Sequence, residues 1–175
     1  MLSVISCRLS VIGLFLLFAA FCSPLAVFAQ DDENDSAPPP LKIISKEEKR
    51  QLDAETNVTK RTKLALVLIE SRLKAAENFY SREQYREMFD ELGRFDALID
   101  KTLDFLNRND NGRGKILNNF KRLDLSLRTY LPRIEIIRRD VPTQYEFYIR
   151  SLAKSVRQAR AKAVEPFFGE TVIDE

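Results

Sequence analysis

The chain contains no histidine and no tryptophan, and its two cysteines, Cys7 and Cys22, both fall within the first 29 residues. These gaps exclude more chemistry than any motif supplies. Without histidine there is no imidazole to act as general base, to ligate zinc or to complete a Ser-His-Asp triad. Without a thiol beyond residue 29 there is no cysteine nucleophile and no disulfide, so the remaining chain must be stabilised by its own apolar core. About 120 residues suffice for one such core. Strand-like alternation of apolar and polar residues is also missing, which leaves helix as the regular structure.

Residues 1–29 read as an export signal. Arg8 is the only charge before an apolar run over 11–22, of signal-peptide length and short for a membrane span. Ser23 and Pro24 break it, and Val27 and Ala29 supply small residues for cleavage after Ala29. An uncleaved anchor is the alternative, since apolar residues run on from Leu25 to Phe28. A lipoprotein signal fits poorly, because Phe21 precedes Cys22. The expectation is therefore an exported bacterial protein, periplasmic or secreted, with no membrane span once the signal is removed.

Residues 30–44 are acidic and then proline-rich, the composition of a disordered tether. Ser45 and Glu48 then fit a capping box and predict a short helix over about 46–55. Beyond Asn57 the apolar residues step by three and four: Leu66, Ile69, Leu73, Ala76, Tyr80; Tyr85, Met88, Leu92, Phe95, Ile99; Ile116, Phe120, Leu123, Leu127, Tyr130; Tyr145, Tyr148, Leu152, Val156. These stripes predict four long helices at about 58–80, 82–108, 112–140 and 142–165, the third kinked at Pro132. The expected fold is all-α, an antiparallel up-and-down bundle spanning 45–169 with coiled-coil-like packing, followed by a flexible tail over 170–175. A helical-repeat hairpin is the rival. The run through Arg72, Ala76, Tyr85, Leu92 and Phe95 loosely resembles one tetratricopeptide unit, but no second copy stands at the repeat offset, and no family is assigned.

Charge is unevenly spread. The whole chain carries 28 basic and 26 acidic residues, and removal of Arg8 leaves 27 − 26 = +1. Residues 30–112 hold 14 basic and 18 acidic residues (14 − 18 = −4), whereas 113–164 hold 13 and 4 (13 − 4 = +9). The candidate binding surface is therefore basic and lies within 113–162: Arg150, Lys154, Arg157 and Arg160 at helical spacing, with Lys121 and Arg128 on the helix before. An acidic protein or an anionic envelope component is the partner such a surface recognises. Nucleic acid matches the charge but not the export signal. The competing expectation is internal matching by the acidic second long helix, which carries Glu83, Glu87, Asp90, Glu91, Asp96, Asp100 and Asp104.

Other candidate sites reduce to structure. Asn107, Asn109, Asn111 and Gly112 follow part of a calcium-loop pattern, yet the expected carboxylate positions hold amides and the twelfth holds Asn118. A turn explains the run, with Asn109 in the left-handed conformation ending one helix and Asp110 capping the next. The i,i+4 pairs Asp96/Asp100 and Glu87/Glu91 fit a charged outer face better than an acid–base site. Asn57 fits an N-cap, though with Thr59 it also matches a glycosylation acceptor. Phe147, Phe167 and Phe168 fall off the stripes and either cover the bundle end or dock a partner.

The sequence thus points to a non-enzymatic binding module with no cofactor and no metal. A chaperone-like bundle that shields unfolded clients is the alternative, and the heptads also suit a homodimer.

Overall fold

A computed structural model of the chain describes residues 37–110 and 114–168. The expected export signal, the start of the tether, the centre of the Asn107–Lys115 turn and the tail over 170–175 lie outside the described residues. Among the described residues there are five α-helices and no strand: α1 (Lys46–Ala54), α2 (Val58–Tyr80), α3 (Tyr85–Arg108), α4 (Gly114–Asp140) and α5 (Thr143–Val164), ending in a 3₁₀ turn (Glu165–Phe167).

Local chemistry sets the helix ends. The capping box at α1 is formed: the Glu48 amide donates to Ser45 Oγ at 3.2 Å, and the Ser45 amide donates to Glu48 Oε2 at 3.0 Å. Asn57 caps α2 by accepting from the Lys60 amide at 3.1 Å. Between α2 and α3, Glu83 adopts φ 58, while the Gln84 amide reaches back to the Phe79 carbonyl at 3.0 Å. That is a Schellman closure with glutamate where glycine is favoured. Asn109 departs from expectation: at φ −103 it is not left-handed, and its side-chain amide instead donates to the Phe105 carbonyl at 2.7 Å. α4 runs on through Pro132, which lies on its exposed side.

The stripes meet in one core. Ile69, Leu73, Leu92, Phe95, Phe120, Leu123, Leu127 and Ile134 have essentially no exposure, and burying each such side chain stabilises by roughly 1.5–3 kcal/mol. Phe95 stands edge-on to Tyr130 at 5.6 Å between ring centres. On α2 the buried line is Thr62, Ala65, Ile69, Leu73 and Ala76, so its small residues admit the larger side chains of α3 and α4.

Helix direction alternates along the chain, as expected of an up-and-down bundle. The ring order is α2–α3–α5–α4, with α3 and α4 in only slight contact. Thr59 meets Asn119 at one end of α2 and α4, and Tyr80 meets Asp140 at the other, so these neighbours run parallel. Phe89 packs on Tyr145 and Tyr148, and Ser155 reaches Asp96, so α3 and α5 run parallel as well. The bundle is thus two antiparallel hairpins, α2–α3 and α4–α5, stacked in the same sense, the stacking that helical-repeat proteins extend into superhelices.

The last part of the expected tether is not loose. Residues 37–44 form an extended strap. The Ala37 amide donates to the Gln144 carbonyl at 2.9 Å, Pro40 and Leu41 lie against Gly93 of α3, and Lys42 Nζ sits 2.7 Å from Asp96 and 3.1 Å from Asp100. Proline-rich composition predicted an extended backbone; it did not show that a glycine on α3 and two carboxylates were waiting to hold it.

Candidate functional site

α4 and α5 expose the basic residues singled out by sequence, but they do not expose them equally. Arg150 donates to Glu146 at 2.6 Å, Arg157 to Glu135 at 2.9 Å and Arg160 to Asp124 at 2.9 Å. Arg128 lies 3.5 Å from the same Asp124. Arg138 joins Glu135 (2.7 Å) to Glu146 (2.9 Å), so Arg150, Glu146, Arg138, Glu135 and Arg157 form one chain of alternating charge across the hairpin. Arg138 and Arg157 hold the Glu135 carboxyl below the ordinary glutamate range, and Arg150 and Arg138 do the same for Glu146. Lys121 and Lys154 are exposed and have no carboxylate within ion-pair distance among the described residues.

Internal matching therefore operates, though not through α3 as the sequence suggested. The partners are Asp124, Glu135 and Glu146, all from the same hairpin. Glu91, Asp96 and Asp100 of α3 are engaged elsewhere. Glu91 takes Arg72 and Arg94, each at 2.8 Å, and Asp96 and Asp100 take Lys42. Glu91 and Asp96 are buried, at 8% and 2% exposure, so the expected reading of these pairs as a charged outer face is corrected at both positions. Burial pushes the Asp96 carboxyl up, against the opposing pull of Lys42. Arg72 also donates to Glu48 at 2.8 Å and so ties α1, α2 and α3 together.

What remains uncompensated is a second set of cations. Arg122, Arg139 and Lys162 are exposed and, like Lys121 and Lys154, have no carboxylate partner among the described residues. α2, parallel to α4, adds exposed Lys60 and Lys63, while its carboxylates Glu70 and Glu77 are both clamped by Arg133, with contacts of 3.0 Å and 2.6 Å. Sequence reasoning missed this contribution of α2, since only the parallel pairing brings it beside α4. No period or motif signals that pairing.

A recess of about 650 Å³ at one end of the bundle is lined by Asn57, Thr59, Asn109, Lys115 and Asn119 among others, and Lys115 is the one charged group among its described lining residues. Asn119 is fully buried there, donating to Thr59 Oγ1 and to the Lys115 carbonyl and accepting from Arg122. Among the described residues no group of three or more acidic, cysteine or histidine side chains could hold a metal ion, and no helix is long and apolar enough to cross a membrane. Of the off-stripe aromatics, Phe147 and Phe168 are 72% and 70% exposed, so neither closes the bundle end. Comparison with protein-family models, with curated proteins and with solved structures found no match for this chain.

Proposed function

We propose that the protein is a non-enzymatic binding module that engages an anionic partner or envelope component through the basic surface of its α4–α5 hairpin. One observation carries this reading. After every arginine–carboxylate pair of the hairpin is formed, Lys121, Arg122, Arg139, Lys154 and Lys162 remain exposed with no carboxylate opposite them among the described residues. Cations held apart from acids on a rigid scaffold raise the local concentration of a polyanion and speed its capture. Export to the periplasm or beyond is part of the proposal, and rests on the sequence of residues 1–29.

The structure also changes which residues test it. Arg150 and Arg157 hold Glu146 and Glu135, so replacing them disturbs the hairpin as well as the surface. Lys121→Glu, Lys154→Glu and Lys162→Glu alter cations that hold no other side chain among the described residues. In combination they should abolish retention on immobilised polyglutamate and on anionic vesicles at low salt while the helical circular dichroism is unchanged. Retention by the triple variant equal to that of the parent would overturn the proposal. The chaperone alternative calls for a continuous apolar cradle, whereas the exposed Val67, Leu125 and Ile136 are interspersed with the exposed cations Lys60, Lys63, Arg128 and Arg139.

A further inference from the structure

The basic surface contains a feature that a soluble polyanion has no use for. Between Lys121 and Arg139, the exposed cations of α4 are Lys121, Arg122, Arg128 and Arg139, and its other exposed residues are Leu125, Thr129, Pro132 and Ile136. At 100° per residue, all eight fall within a 120° arc opposite the core, with Leu125, Pro132 and Ile136 along the middle and cations to either side. Leu125 is 48% exposed and Ile136 55%. The row is about 27 Å long at 1.5 Å per residue. Between Lys121 and Arg139 no exposed carboxylate interrupts it: Asp124 is buried beneath Arg160, and Glu135 is held by Arg138 and Arg157; Asp140, exposed at the helix end just beyond, accepts from the Tyr80 hydroxyl at 2.7 Å.

Resting on the reading above, we infer that the ligand is an anionic lipid bilayer, on whose surface the outward side of α4 lies. Leu125 and Ile136 enter the boundary between headgroups and acyl chains, and the flanking cations meet lipid phosphates. An apolar line edged by lysine and arginine matches both components of that boundary at once, which is the pattern of helices lying in the interfacial plane. The long stems of Lys121, Arg128 and Arg139 let their charges rise to the phosphates as the apolar line sinks. α2 supports the same side of the molecule with Lys60, Lys63 and the 65% exposed Val67. The α2 acids Glu70 and Glu77 are both neutralised by Arg133.

The test uses the chain from Gln30 onward, sedimented with vesicles of phosphatidylglycerol in phosphatidylcholine, with vesicles of phosphatidylcholine alone, and applied in parallel to immobilised polyglutamate. Two double variants are compared, Leu125→Gln with Ile136→Gln, and Lys121→Glu with Arg139→Glu. The parent should sediment with the anionic vesicles only. The apolar variant should lose about tenfold in vesicle binding yet keep its retention on polyglutamate, whereas the charge variant should lose both, at about fivefold or more per cation. Because the chain has no tryptophan, Ile136→Trp provides a single fluorophore whose emission should shift to the blue on anionic vesicles, and Glu87→Trp on acidic α3 should not shift. Vesicle binding by the apolar variant equal to the parent's, or an unshifted Ile136→Trp emission, overturns the bilayer inference. Retention on polyglutamate without sedimentation overturns it too, but leaves the polyanion reading standing. Absence of both defeats both.

Discussion

Tyr148 is where a single residue stands furthest from its ideal. Its ring packs edge-on to Phe89 at 4.6 Å, while its hydroxyl is buried with no hydrogen-bond partner among the described residues. Burial, together with the carboxylates of Asp96 and Asp100, pushes its ionisation well above the ordinary tyrosine value. An unmet buried hydroxyl costs about 1–3 kcal/mol, so Tyr148→Phe should raise stability by about 1 kcal/mol in urea unfolding. A loss instead would show that the hydroxyl is bonded. Glu83 carries a different cost, being a non-glycine residue at φ 58, with an exposed side chain that makes no ion pair among the described residues. Glu83→Gly removes about 1–2 kcal/mol of left-handed strain and gives back part of it through chain entropy, for an expected net gain of about 0.5–1 kcal/mol. An unchanged urea midpoint would count against the strain. Neither position is marked in the sequence, where Tyr148 is simply a core aromatic and Glu83 a charge in a turn.

Among the elements, the helices were legible because each stripe repeats over several turns, and the ends agree where a cap residue is present, as at Ser45 and Asn57. The strap was not legible as a docked element, because docking is a relation between distant residues. Gly93 is the clearest sign of it. A Cβ there would stand 2.9 Å from both the Pro40 Cβ and the Leu41 carbonyl oxygen, so a helix-weakening residue is kept in the middle of α3 to let the strap approach. Gly93→Ala should therefore lift the strap and speed tryptic cleavage after Lys42 several-fold. The midpoint of bundle unfolding should move little, since alanine returns about 1 kcal/mol of helix propensity. Unchanged cleavage would show that the strap adjusts instead of leaving. The buried acids were misread for a related reason: Asp96 and Glu91 look solvated until Lys42 and Arg72 arrive from other elements.

For the whole molecule, charge is sorted by face. α3 exposes Glu87, Asp90, Asp100 and Asp104 against Arg86 and Arg108, while the exposed charges of α2 and α5 are basic and those of α4 are basic apart from Asp140. The paired acids also set a pH response. Burial pushes the Glu48 carboxyl up, but bonds from Arg72 and Ser45 outweigh it and hold it below the ordinary range, as Arg50 does for Glu47 and Arg138 for Glu135. A carboxyl depressed on folding stabilises above its unfolded value, about pH 4.3, and loses that contribution as pH falls through its folded value. Asp96 runs the other way: its raised ionisation costs stability as pH rises through the folded value, so acid relieves it. Stability should therefore fall below about pH 4.3, and the fall should be steeper in Asp96→Asn, which lacks the compensating relief. Urea midpoints at about pH 6 and about pH 3.5 check both statements. An equal or smaller difference in the variant would remove Asp96 from this balance.

The strap also fixes an order of assembly. Its seat is made of Gly93 and Asp96 on α3 and the Gln144 carbonyl at the start of α5. Synthesis delivers residues 37–44 before any helix of the bundle and Gln144 only with the last one. The α2–α3 hairpin can close from its own neighbouring residues, and α4–α5 can follow in the same way. The strap has nowhere complete to bind until both hairpins have met. The earliest described segment of this chain thus completes its seat only through the last helix, by the bond from Ala37 to Gln144.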